Sequence, residues 1–228
     1  LLVHMVLAAY LATCFIIAGV AASHLLRDRF RRRARLTLRL AVIFASIVVP
    51  LQILVGDLHG LNTAEHQPAK VAAMEGLWET QRGAPLKLFG WPDQEAETTR
   101  WSVEVPKLSS LILTHDLDGQ VRGLKAWPAD QRPPVALVFW TFRIMVGLGL
   151  LMILTGLAAL VLHWRRRLFE TRAFQGWCMA MAPAGFICVL AGWFVTEVGR
   201  QPWIVQDLMR TAEALSPVGP GPVVISLT

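Results

Sequence analysis

The sequence predicts an all-α integral membrane protein with four complete transmembrane helices, a long loop on the outer face, and the start of a further span at the C-terminus. Three observations carry this. Of 228 residues, 54% are hydrophobic and 17% charged, against about 25% charged in soluble proteins. Four apolar runs, at 1–26, 38–55, 137–164 and 174–198, reach the roughly 17–25 residues that a helix needs to cross a bilayer. The charges alternate by segment, with basic short connections and an acidic long one, which is the positive-inside pattern.

The elements follow in order. Span 1 (1–26) runs inward and ends at a basic connection holding Arg27, Arg29, Arg31, Arg32, Arg33, Arg35 and Arg39. Span 2 (about 38–56) returns. Residues 57–134 form the outer loop, with 8 Lys/Arg against 11 Asp/Glu. Span 3 (137–164) goes in, Arg165, Arg166, Arg167 and Arg172 mark the second inner connection, and span 4 (173–199) comes out. By domain the chain divides into 1–56 (spans 1 and 2), 57–135 (the loop), 136–199 (spans 3 and 4) and 200–228, an outer tail leading to a missing span. The chain opens within an apolar run, and a new one begins at 223–228, so further spans are expected on both sides.

The loop is more than a linker. It carries Trp78, Trp91, Trp101 and Trp127, enough to pack on something, and so long a connection is usually functional. Residues 69–80 show helical spacing, with Val71, Met74 and Trp78 on one face. Residues 86–97, broken by Gly90 and Pro92, read as turns.

Some function classes fall away. The net charge of +6 sits in the two inner connections, which places it at a membrane surface rather than on nucleic acid. Cys14, Cys178 and Cys188 all lie in spans without a CxxC pair, and read as apolar packing residues.

Ionisable residues within spans are costly and point to function. His4, Arg143 and Glu197, with Met145, all fall toward the outer ends of their spans, on the side of the long loop. Singly, each has a plain reading: an interfacial His, a packing Met, an ion pair between Glu197 and Arg200. Together at one depth they suggest a site, and His with Met is an axial pair for a low-spin haem. A stacked two-haem arrangement fails, because His4 and His24 lie about 30 Å apart along span 1 and no other span carries a matching pair. His59, His66 and His115 fall in the loop without metal-ligand spacing.

Residues 191–203, AGWFVTEVGRQPW, resemble the signature of cytochrome bd oxidase subunit I. FWTFRIMVG at 139–147 is similar to a second segment of that family. VGDLHG (55–60), KVAAMEGLWETQ (70–81) and LFGWPDQE (88–95) resemble the start of its quinol-binding Q-loop, and residues 2–12 the start of its haem-ligating span.

The resemblance implies a ubiquinol oxidase of the bacterial inner membrane, with the loop in the periplasm and a second subunit as partner. His4 and Met145 would be axial ligands of a low-spin haem b, with Arg143 beside it. Glu197 would ligate a high-spin haem b, Trp193 would lie between haems, and Arg200 would hold propionates. Lys70 and Glu75, with Asp57 nearby, would serve quinol oxidation. A third haem, d or b, belongs to the complete protein. The short stretch between Glu104 and Phe139 resembles the short-Q-loop branch, which includes cyanide-insensitive oxidases. The family's first four spans, with the oxygen-site histidine, have no counterpart here. Two other readings are an accessory membrane subunit, which has no need of His4, Met145, Lys70 and Glu75 together, and an ion-coupled transporter, which has no need of a His/Met pair.

Overall fold

A computed structural model describes residues 1–214. The predicted span start at 223–228 lies outside the described residues. The membrane part is all helix: α1 (Leu2–Leu26), α2 (Arg31–His66), α5 (Val135–Trp164), and the pair α6 (Arg172–Ala180) and α7 (Ala184–Gly199). The outer loop holds α3 (Pro68–Glu75), β1 (Gln81–Arg82), β2 (Leu86–Asp93), β3 (Thr98–Val105), α4 (Leu108–Thr114) and β4 (Gln120–Val121); β5 (Trp203–Val205) and β6 (Met209–Arg210) follow α7.

The four spans form a ring in the order α1, α2, α5, α7, with α6 also against α1. Small residues let the helices approach, as membrane helix pairs require. A Cβ on Gly185 would meet the Ala12 backbone at 2.3 Å, and one on Gly19 would meet the Ala182 Cβ at 2.5 Å. The inner half of the core joins Ala18, Ala22, Leu38, Ala159 and Cys178; the middle joins Leu11, Phe15, Val48, Met152 and Met181. Cys14 and Cys178 are buried free thiols that pack as small apolar groups. A third cluster, Ala72, Ala73, Trp78, Leu124, Val135, Val138 and Val195, seats the loop on the outer end of the ring.

Four local expectations need correction. Span 2 does not stop near residue 56: α2 is one helix of 36 residues ending at His66. At 1.5 Å per residue it is about 54 Å long and overshoots the roughly 30 Å hydrocarbon core. Hydropathy marked the bilayer edge, which is not where the backbone hydrogen bonds end, so His59 and His66 are helical. The helix expected over 69–80 stops at Glu75, because Gly76 takes the left-handed conformation (φ 62°) that caps it. Trp78 still joins the same core.

Residues 86–97 are not simply turns. β2 runs through Gly90 and Pro92 and pairs antiparallel with β3, the register slipping on either side of Phe89. A proline and bulges are tolerated on a two-stranded ribbon, which has free edges. Finally, span 4 is two helices joined by a tight turn at 181–183. Pro183 has no N–H to continue the first helix, and Ala182 and Ala184 N–H instead reach back three and three residues to Met179 and Met181 carbonyls.

Candidate functional site

Contacts between the spans set the depths of the predicted residues. Gly156 of α5 lies against Ser46 of α2, whose hydroxyl donates to the Gly156 carbonyl at 3.2 Å. Moving outward, Gly56 is ten residues from Ser46, and Met145 is eleven from Gly156, so both sit about 15 Å beyond that contact. Gly56 is where His4 packs: a Cβ there would lie 3.3 Å from His4 Cε1. His4 and Met145 therefore share one level. The α1–α7 contact agrees. His4 is eight residues outward of Ala12, and Gly192 and Trp193 are seven and eight outward of Gly185. Gly192 in turn faces Met145, whose Sδ a Cβ would approach to 3.1 Å.

His4 and Met145 come from helices across the ring from one another, and the two intervening helices present glycines at that level. His4 Nδ1 is buried without a hydrogen-bond partner, and its Nε2 lies 3.3 Å from the Gln52 amide nitrogen. Among the described residues, no three His, Cys, Asp or Glu side chains converge on a bare metal ion. An imidazole and a thioether at one depth, with flanking glycines where side chains would intrude, fit a flat iron macrocycle better than a naked ion.

Sequence reasoning missed Gln52, Gly56, His59 and Gly192. The His59 ring centroid is 5.8 Å from that of His4. Gln52 does carry a signal in the sequence, as an uncharged polar residue inside an apolar span. The glycines carried no signal until the packing was known.

About one turn further out lies the rim. Glu197 accepts a hydrogen bond from Arg200 Nη2 at 2.5 Å, so the plain ion pair is present. Arg200 Nε is buried without a partner. Trp193 is exposed on the ring's outer surface and meets Phe194 edge-on.

Lys70 and Glu75 are not solvated loop charges: they are 8% and 5% exposed. They point to different places, as their spacing on one helix allows. The Lys70 stem runs over Gly199, where a Cβ would meet its Cγ, Cδ and Cε at 3.0–3.3 Å. Burial, and then the nearby Arg200 charge, lower its ammonium to about 8, with Glu197 opposing. Glu75 faces Arg143 of α5, Oε2 to Nη2 at 3.8 Å. Burial raises its carboxyl, with the Arg143 and Lys87 charges pulling the other way. Glu75 Oε2 and Ser109 Oγ are both buried without a hydrogen bond.

Arg143 ties the loop to the bundle. Its Nε and Nη2 donate to the Lys87 carbonyl at 3.0 and 2.6 Å, its Nη1 to the Met74 carbonyl, and its guanidinium lies 3.6 Å over Phe139. It thus serves Glu75 and α3 from two residues before Met145. Asp57 stands apart from these groups. Its contact is His115 at the end of α4, at 3.8 Å.

Fold and site together define a multi-pass membrane protein that sets His4 and Met145 at one level of its helices, below a buried Lys and Glu on an outer loop. The family model described as Cytochrome bd terminal oxidase subunit I matches residues 1–228, and the chain belongs to that family. It is therefore a bacterial inner-membrane chain with its long loop on the periplasmic side. It is 35% identical over 227 residues to Bacillus subtilis cytochrome bd ubiquinol oxidase subunit 1, covering 94% of this chain and 48% of that protein. It is 31% identical over 295 residues to Escherichia coli cytochrome bd-II ubiquinol oxidase subunit 1, covering 99% and 57%. The bd oxidase structure from Geobacillus thermodenitrificans superposes with a TM-score of 0.87 at 32% identity, over 98% of this chain and 52% of that one. The chain spans about half the length of these relatives.

Proposed function

We propose that this chain is the quinol-oxidising half of subunit I of a bd-type quinol:oxygen oxidoreductase, with 57–135 as its quinol-binding loop. The observation that carries the reading is the burial of Lys70 and Glu75, two charges of one loop helix, directly against α5 and α7, which hold Met145 and Glu197. The substrate is a quinol. The two relatives above are named for ubiquinol, and a further Bacillus subtilis relative for menaquinol.

Quinol loses two protons with two electrons. Glu75, with a raised affinity for protons and an orphaned oxygen, receives one, and the other passes to water on the outer face. Lys70 steadies the developing anion. Arg143 holds the two carbonyls that bracket Glu75's place in the loop, and so keeps the acceptor against α5. His4 and Met145 would hold a low-spin haem b, which when bound supplies one-electron acceptance at a raised potential. Glu197 would hold a high-spin haem b once freed from Arg200, and Arg200's unpaired Nε is suited to a propionate. A third haem, d or b, and a second subunit complete the enzyme, and oxygen is reduced outside this half.

The short stretch between Glu104 and Phe139 supports the short-Q-loop branch for this loop.

The test is a reduced-minus-oxidised visible spectrum of membranes holding the full-length protein, wild type beside Met145→Leu. The expected result is a b-type α-band that weakens or shifts in the variant. A haem spectrum untouched by the substitution removes the His4/Met145 site.

A further inference from the structure

At the inner end of the bundle, away from the residues of the candidate site, a cavity of about 530 Å³ is lined by Arg31, Arg32, Arg35, Leu36, Arg39 and Phe169. Its volume lies within the roughly 300–1,000 Å³ of small-molecule sites. Arg31, Arg35 and Arg39 repeat every four residues on α2, so like charges stack along one face, where they repel. Arg31 and Arg32 also stand in the first turn of α2, the helix end that disfavours cations. That end has no side-chain cap and no acidic residue in its first turn. Among the described residues the one carboxylate paired there is Asp28, 3.4 Å from Arg31; Glu170 adjoins Phe169 in sequence and is exposed. Arg35 lies over the Phe169 ring at 5.6 Å. The cavity therefore joins an excess of guanidinium groups to an apolar wall, Leu36 and Phe169, at the level where the cytoplasmic leaflet meets water.

We propose that this groove binds the phosphate headgroup of an anionic phospholipid of the cytoplasmic leaflet. Arginine matches a phosphodiester with paired donors. Leu36 and Phe169 would meet the glycerol and the first acyl carbons, a contact that a free phosphate has no means of making. Basic pockets on the cytoplasmic side of membrane helices are suited to such headgroups.

The test uses the full-length oxidase purified in detergent, loaded with phosphatidylglycerol or phosphatidylcholine, and native mass spectrometry of the lipid retained. Wild type is expected to retain phosphatidylglycerol over phosphatidylcholine. Arg35→Gln with Arg39→Gln is expected to lower that retention about tenfold, with the haem spectrum unchanged as the check on folding. Phe169→Ala should weaken the lipid while leaving any effect of added inorganic phosphate as in wild type. Equal retention by wild type and the double variant overturns the proposal. So does release of the lipid by inorganic phosphate at low concentration, which would make the ligand a soluble anion. Absence of retained lipid on the wild type also overturns it, the groove then being covered by protein.

Discussion

Gly185→Ala in the full-length oxidase probes the contact that sets the level of His4. A Cβ at Gly185 would lie 2.3 Å from Ala12 Cα and 3.0 Å from both Ala12 N and Cβ. Ordinary contact begins at 3.4 Å, so α1 and α7 must part by about 1.1 Å, and the obstacle is backbone rather than a side chain that can swing away. Overpacking of this kind costs roughly 1–3 kcal/mol, and a backbone obstacle belongs at the upper end. A loss of that size lowers the unfolding midpoint by several degrees. His4 lies eight residues along α1 from the contact and Gly192 seven along α7, so the separation also reaches the donor level. The assay is thermal unfolding together with the reduced haem spectrum. Gly147→Ala, where a Cβ meets nothing within 4 Å, is the control and should leave the spectrum unchanged and the midpoint no lower. A Gly185→Ala protein with the wild-type midpoint and an unshifted spectrum refutes the argument that this close packing registers the site.

Two further predictions concern the loop charges. The Lys70 ammonium, at about 8 in the fold against 10.5 free, is a cost that is full below pH 8 and relieved as pH rises toward 10.5, because the unfolded chain holds the proton more tightly. That gap corresponds to about 3 kcal/mol. Lys70→Met should raise the unfolding midpoint near pH 7, lose the advantage near pH 10, and abolish quinol oxidation; lower stability at both pH values contradicts the buried placement. For Glu75 the carboxyl is raised, so its contribution is most favourable below about pH 4.5 and is lost as pH climbs through the raised value. Glu75→Gln should therefore gain in stability relative to wild type as pH rises to neutrality, while quinol turnover falls about 100-fold. Wild-type turnover in this variant would exclude Glu75 as the proton acceptor.

The sequence determined the number of spans, their direction and the outer placement of His4, Arg143, Met145 and Glu197. Bilayer thickness and the cost of moving arginines across it constrain those features residue by residue, with no need of tertiary contacts. Family membership was legible as well, because its motifs are local strings. Where α2 ends was not legible, since a helix leaving the bilayer changes its solvent and keeps its hydrogen bonds. The pairing of β2 with β3 through Gly90 and Pro92 was hidden for the opposite reason: those residues argue against a strand locally, and only the partner strand outweighs them. The same holds for Lys70 and Glu75. Their spacing said that they need not touch, but charge alone reads as solvent-exposed, and it took the seating of α3 on α5 and α7 to bury them and assign each a different neighbour. Gly56 and Gly192 became meaningful only beside His4 and Met145. A missing side chain has no chemistry of its own, and what it makes room for is decided by the helix that packs against it.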